Sequence, residues 1–290
     1  MLVETLLTGV TLGGMYALLA MGLTLQYGVA RIMNLSYGEL LIAAAFAALF
    51  LFNSLRLNPL GGLILVLPAA ALLSWLVYRL LMVPLVRRAG TRDALEVDTI
   101  LATFGLLFVI QGVMLVIFGG AYYSYSFLAF PVDLLGASIA ANRLLALAVA
   151  VVVGLALYLG LTRTRIGTAV RAVAVDPVAA QLVAIDVRAI AALAFGLGGA
   201  LVATGGVLVS MFLTFNANLG VMFTMKALIV VIMGGVGNLM GCLIAGMLLG
   251  LTETFVAAWI DPGLTLAATY IIFLSVLLVR PQGLLGGAGR

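Results

Sequence analysis

Histidine is absent from the chain, cysteine occurs once, at Cys242, and lysine once, at Lys226. Each scarcity removes a class of chemistry. Without histidine there is no imidazole base, proton shuttle or metal ligand. A single cysteine can neither close a disulfide within the chain nor build a metal site of paired thiolates. A loop of the Gly-x-x-x-x-Gly-Lys-Ser/Thr type, which cradles nucleotide phosphates, needs its lysine between a glycine and a hydroxyl residue. Lys226 instead stands between Met225 and Ala227, so ATP is not bound in that way and any ATP-driven motor is another polypeptide. Charge is scarce too: 8% of residues are charged, 65% are hydrophobic, and mean hydropathy is +1.32. A soluble domain is about a quarter charged. So few charges cannot solvate the surface of a 290-residue fold, and the apolar excess must face lipid. The same composition excludes disorder. No cofactor and no metal is implied, and the net charge of +4 does not point to nucleic acid.

Glycine, by contrast, is plentiful, with 34 residues, and many sit inside apolar runs such as Gly196–Ala200 and Gly241–Gly250. Lipid tails are as apolar as leucine, so helices in a bilayer associate through close backbone approach at small residues. A spanning helix takes about 20 mainly apolar residues. Stretches near 5–29, 60–83, 97–119, 143–162, 189–212 and 264–280 meet this need. A further apolar helix covers 38–53, and 225–258 holds two runs separated by Gly234-Gly235-Val236-Gly237-Asn238. The expected fold is a single all-α polytopic membrane domain, 1–290, with eight or nine spans and broken or re-entrant segments near 31–39 and 225–240. The first apolar stretch is too long, and lacks the basic flank, for a cleavable signal peptide.

Arginine placement orients the chain. Arg31, Arg79, Arg87, Arg88, Arg92, Arg163, Arg165, Arg171, Arg188, Arg280 and Arg290 fall in one set of loops, 11 of the 14 basic residues. The opposite set holds or borders Arg56, Arg143 and Lys226. The first set is expected in the cytoplasm, which places the C-terminus inside and the N-terminus outside unless 31–39 is a re-entrant excursion. The longest polar segment on this side is 163–190. Asp176 reads as an N-cap with Pro177 at the first helical position, giving a helix over about 177–185 preceded by another over about 166–175. Two short amphipathic helices suit a docking platform; the alternative is a solvated loop whose arginines only fix topology.

Ionisable groups within the membrane are costly and point to function by default. Glu39, Asp98 and Glu253 are the candidates, each with a structural alternative. Glu39 could cap its own helix, Asp98 could begin its helix as a charge suited to the dipole, and Glu253 could reach the outer interface. None forms an evident acid–base pair. Irregular backbone at membrane depth persists only beside protein or a water-filled cavity. The two polar breaks, with Asn34, Ser36, Tyr37, Gly38 and Glu39 in one and Gly234, Gly235, Gly237 and Asn238 in the other, are therefore the candidate translocation path.

These residues resemble the permeases of branched-chain amino acid ABC importers, the Liv-type group. The resemblance runs from Gly9-Val10-Thr11-Leu12-Gly13 through Tyr16-Ala17-Leu18 and Tyr27-Gly28. The family's Asn-Phe-Ala-His-Gly-Glu signature stands here as Asn34-Leu35-Ser36-Tyr37-Gly38-Glu39, with tyrosine in place of histidine. It continues in Gly167, Arg171-Ala172 and Asp176–Ala180, in Gly234–Asn238 with Gly241, and in Arg280-Pro281-Gln282-Gly283-Leu284. The resemblance implies a bacterial inner-membrane permease that pairs with itself or a sister permease, with two ATP-binding subunits, and with a periplasmic or extracellular solute-binding protein. It further implies that Gly167, Arg171, Asp176, Pro177, Ala180 and Ile185 belong to the loop that couples to the ATPases. The solute would be a branched-chain amino acid or a related small molecule such as urea or an amide. A stand-alone secondary transporter or a passive solute channel is the alternative; a membrane-embedded enzyme lacks the clustered groups it would need.

Overall fold

The computed structural model describes residues 2–88, 91–134 and 136–286; Arg290 of the arginine set lies outside them. The chain is helical almost throughout. α1 covers Leu2–Ala30, α2 Tyr37–Leu55, α3 Pro59–Val77, α4 Val83–Arg88, α5 Arg92–Phe118 and α6 Ala141–Arg163. α7 (Arg165–Val175) and α8 (Pro177–Leu182) are short, and α9 (Val187–Ser210), α10 (Gly220–Gly234), α11 (Leu239–Trp259) and α12 (Thr265–Val279) follow. Among the described residues eight helical stretches have the length and hydropathy to cross a bilayer, and α10, with 15 residues, is a shorter ninth. Helix starts outside the apolar runs are tied by side chains that accept the orphan N–H groups of the first turn. Thr91, Asp186 and Asn238 do this for α5, α9 and α11, each from the residue just before the helix.

α3 does not end at Val77 but continues through a π-helical turn, Tyr78–Met82, into α4. Pro84 has no N–H to offer the preceding turn, and the helix widens just ahead of it, with Val83 N–H reaching Tyr78 O. α5 begins earlier than its apolar run, at Arg92, so Asp98 lies exposed in the second turn rather than at the helix start.

The core is built on α1 and α9, which are buried along most of their length, while α3, α5 and α12 turn rows of leucine, valine and phenylalanine outward. α1 lies antiparallel to α11 across facing small residues. A Cβ at Gly13 would stand 2.7 Å from Met247 Cα, and one at Gly246 would stand 2.6 Å from Ala17 N. Gly9, Gly13 and Ala17 on one helix and Cys242, Gly246 and Gly250 on the other recur every four residues, which is the spacing that keeps one face of each helix small. On its other side α1 packs antiparallel to α9. α2 runs parallel to α9, with the Tyr37 hydroxyl on Gly198 O and Leu41 against Gly206.

Gly28 near the end of α1 approaches Gly237, and Leu284 and Leu285 N–H donate to Met233 O and Gly234 O. The C-terminal segment therefore closes on the arginine-rich end of the bundle, and the N-terminal end of α1, antiparallel to α11, lies at the opposite end. At that far end an antiparallel hairpin, Pro131–Leu134 with Ala137–Ala140, joins a Tyr123–Phe215 bridge and the stacked rings of Phe46 and Phe118, 4.1 Å apart. Neither the hairpin nor the π turn is legible from hydropathy.

Candidate functional site

The first break is sealed inside the protein. After Ala30 the chain turns through Arg31, which adopts a left-handed φ of 57° while its N–H donates to Tyr27 O at 2.9 Å. It then climbs back into the bundle before α2 begins at Tyr37. Several of the irregular backbone groups that the bend exposes meet a side chain. Thr103 Oγ1 reaches Met33 O at 3.2 Å, and Thr224 Oγ1 lies 3.3 Å from Leu35 O and accepts from Gly38 N–H at 2.8 Å. Asn34 Oδ1 accepts from both the Ser36 N–H (3.1 Å) and the Ser36 hydroxyl (2.7 Å), and its Nδ2 donates to Gln26 Oε1 at 3.2 Å. Gln26 in turn donates to Phe195 O on α9. Asn34, Ser36, Tyr37 and Glu39 are all buried. Gly38 is required where it is, because a Cβ there would meet Gly220 O and Thr224 at the start of α10.

Glu39 is the exception in this otherwise satisfied site. Ser36 and Glu39 have the Ser-x-x-Glu spacing of a capping box, yet Ser36 N–H is already committed to Asn34. The Glu39 carboxylate lies against Gly220, at the N-terminus of α10, where the Val221 N–H faces it although neither oxygen meets that donor in full hydrogen-bond geometry. The N-terminus of a helix carries partial positive charge, so the carboxylate faces an attractive field.

The second break has a different setting. Gly234–Asn238 is the turn between α10 and α11 at the arginine-rich end. Gly235 and Gly237 take positive φ of 99° and 85°, and a Cβ at Gly234 would strike the backbone of Gly241. Asn238 caps α11 through Gly241 N–H and donates to Leu285 O. The two breaks are thus not brought together: Asn34–Glu39 is buried halfway along α9, whereas Gly234–Asn238 packs on the C-terminal segment.

Glu253 does not reach an interface. It is buried and paired with Lys226 at 2.7 Å, with side chains 6% and 11% exposed. The Tyr16 hydroxyl donates to Glu253 Oε2 at 2.6 Å, Lys226 Nζ reaches the same hydroxyl at 2.7 Å, and Thr269 Oγ1 donates to Oε1 at 3.1 Å. α1, α10, α11 and α12 meet at this cluster. Its clue in the sequence is that the single lysine interrupts an apolar run; Gln26, Thr103 and Thr224 are likewise polar residues within apolar helices.

The 163–190 segment folds as the two expected helices. Asp176 Oδ1 accepts from Val178 N–H and Ala179 N–H at 2.9 and 3.0 Å, and Pro177 takes the first helical position. α8 stops at Leu182, short of the expected 185; the chain turns at Ala184, φ 61°, and Ile185 N–H returns to Ala180 O. Gly167 lies so close to α6 that a Cβ would meet the backbone of Gly160 and Leu161. Val170, Val173 and Ala180 are buried toward the bundle, and Arg171 is exposed. On the outer side Val175 (81% exposed), Val178 (69%), Leu182 (85%) and Val183 (69%) form an apolar ridge. α7 and α8, with 11 and 6 residues, are too short to span, so this ridge is not lipid-facing in the way that α5 or α12 is.

Among the described residues, eight helical stretches of spanning length and a shorter ninth, with a two-helix platform on the arginine-rich end, define a polytopic membrane protein. A profile of the family described as "Branched-chain amino acid transport system / permease component" matches residues 5–279, and the chain belongs to that family. It is 26% identical to the high-affinity branched-chain amino acid transport system permease protein LivH of Salmonella typhimurium, over 98% of this chain and 95% of that protein. It is 27% identical to the corresponding protein BraD of Pseudomonas aeruginosa, again over 98% and 95%. Among solved structures, PsaBC from Streptococcus pneumoniae in complex with Fab superposes with a TM-score of 0.51 at 12% identity, covering 96% of this chain and 91% of that one. That likeness extends to the fold.

Proposed function

We propose that the chain is the membrane-spanning permease subunit of an ATP-driven importer for branched-chain amino acids or related small solutes. Two ATP-binding subunits dock on the arginine-rich, cytoplasmic end, a sister permease of different or identical sequence completes the path, and a solute-binding protein delivers cargo to the outer face. The observation that carries this reading is the exposed ridge Val175, Val178, Leu182 and Val183 on helices that cannot lie across a bilayer. An exposed apolar patch outside the membrane calls for a protein partner. The C-terminus then lies in the cytoplasm, as the arginine bias requires.

Force applied to α7 and α8 has a route into the membrane. The Arg31 guanidinium donates to Ala174 O at the end of α7, at 3.1 Å, and Arg31 is the first residue of the bend that leads to Asn34. Displacing the platform pulls on that bend and on the junction of Glu39 with α10. The path passes there: a carboxylate met only by the Val221 N–H can receive a solute ammonium group, and the N-terminus of α10 suits a solute carboxylate. The turn at Gly234, Gly235, Gly237 and Asn238 forms its inner mouth. High-affinity selection belongs to the solute-binding protein, since tight binding within the path would impede release.

The test is co-purification from native membranes with an ATPase assay. Leu182→Asp with Val178→Asp is expected to lose the ATP-binding subunits while the permease stays folded in the bilayer. Retention of those subunits, or a wild-type chain that purifies alone in mild detergent and transports without ATP, would overturn the docking reading.

A further inference from the structure

We infer that the groove between α1, α6 and α11 is a binding site for one anionic phospholipid of the arginine-rich leaflet, with its phosphate between Arg31 and Arg171 and an acyl chain along α6. The inference rests on the membrane disposition of the bundle and is independent of which motor drives transport.

The headgroup end is a cavity of about 550 Å³ walled by the last turns of α1 and α6, by α7 and by the turn before α11. Its polar lining includes Tyr27, Arg31, Tyr158, Thr162, Arg171 and Asn238, with Thr24 deeper in the groove committed to Cys242. Among the described residues that line it none is acidic, so two guanidiniums face a concave site with no carboxylate to neutralise them. Arg31 commits one of its donors to Ala174 O, and Arg171 has no hydrogen bond or ion pair among the described residues. An arginine presents five N–H groups in a fixed fork that matches a phosphate. Basic pockets between transmembrane helices on this side of a membrane are where acidic headgroups bind. Tyr27 and Tyr158 sit at the headgroup level, which aromatic side chains with a polar tip favour.

The cavity does not end at the headgroup. It shares Tyr158 and Met240 with a second space of about 230 Å³ lined by Leu18, Met21, Leu155, Leu243 and Met247, where almost every exposed atom is apolar. From Tyr27 to Gly14, which also borders this space, α1 advances about 20 Å. One leaflet of hydrocarbon is about 15 Å thick, so the groove accommodates the length of an acyl chain. A polar, cationic mouth that adjoins a dry trough of that length across Tyr158 and Met240 fits a phospholipid and does not fit a soluble phosphate metabolite, which would leave the trough empty. Because the same Arg31 ties α7 to the bend before Asn34, the lipid occupies the joint between the platform and the break.

The experiment is native mass spectrometry of the full chain, released from micelles containing equal phosphatidylglycerol and phosphatidylcholine. The expected result is one retained phosphatidylglycerol with at least tenfold preference. Arg171→Gln, an exposed position whose loss does not disturb the core, is expected to lower retention severalfold, and Leu155→Trp, which fills the trough, to do the same with both arginines in place. Arg79→Gln with Arg87→Gln, on the same end of the bundle but away from the groove, serves as the control and is expected to leave retention unchanged. Inorganic phosphate at millimolar concentration is expected not to compete; competition would assign the mouth to a soluble anion and overturn the lipid reading. Equal retention of the two lipids, or loss in the control to the same degree as in Arg171→Gln, would overturn it as well.

Discussion

Replacing Glu253 with glutamine tests whether the cluster around Lys226 holds the bundle together. The substitution keeps the shape and leaves Lys226 Nζ, which stands 2.7 Å from the carboxylate and is 11% exposed on its side chain, as a nearly buried cation. Tyr16 and Thr269, which now donate to the carboxylate, would face an amide that can accept at one oxygen only. Removing one partner of a buried pair costs about 3–5 kcal/mol, and a charge near the centre of a spanning helix costs about 3 kcal/mol on insertion scales. We expect Glu253→Gln to destabilise the folded chain by about 3 kcal/mol in a mixed-micelle unfolding titration. Lys226→Met alone is expected to cost about 2–3 kcal/mol, because it leaves the carboxylate with only two hydroxyl donors. The double substitution Lys226→Met, Glu253→Leu removes both charges together and should cost much less than the sum, giving a coupling of about 2 kcal/mol or more. Additive single and double effects, or a neutral Glu253→Gln, would refute the reasoning and return Glu253 to an interfacial role.

The glycine seam gives a second expectation: Gly13→Leu must force α1 and α11 apart, since even a Cβ falls 2.7 Å from Met247 Cα, and should lower stability by about 3 kcal/mol or more in the same titration. Thr224→Val leaves Gly38 N–H and Leu35 O without their partner and should cost about 1–3 kcal/mol, with Thr224→Ser recovering most of it. Asp176→Ala removes a cap that accepts two N–H groups; hydrogen exchange in α8 should accelerate by an amount corresponding to about 1 kcal/mol, with the spanning helices unaffected.

Most spans were legible because the bilayer asks about 20 apolar residues of each crossing, and composition alone reveals such runs. The polar break at Asn34–Glu39 was legible for the same reason, as an interruption in an otherwise uniform signal, and so were the two short helices with their Asp176 cap. What each break does was not. Glu39 has the spacing of a helix cap, but whether Ser36 N–H is free to receive it depends on how Asn34 folds back. Its actual neighbour, Gly220, lies far along the chain. Lys226 and Glu253 are 27 residues apart, and Tyr16 is 210 residues from Lys226, so no local period could pair them. Asp98 was misplaced because the apolar run starts later than the helix, whose first turn is polar and anchored by Thr91. The hairpin at 131–140 and the widened turn at Tyr78 arise from packing and from one proline, neither of which alters hydropathy.

α1 is made long before α11, the helix that its glycine face seats. α1 carries the glycine face that seats α11, the Gln26 that answers Asn34 and Phe195, and the Tyr16 whose carboxylate partner lies 237 residues downstream. At about 5–20 residues per second, α1 waits on the order of 10–50 s in the membrane for its last partner. During that interval the face that seats α11, and the Tyr16 hydroxyl, have lipid or an insertase to rest against. A substitution on that face of α1 is therefore expected to act during assembly as well as in the finished bundle, and its effect on yield to exceed its effect on the stability of the folded chain.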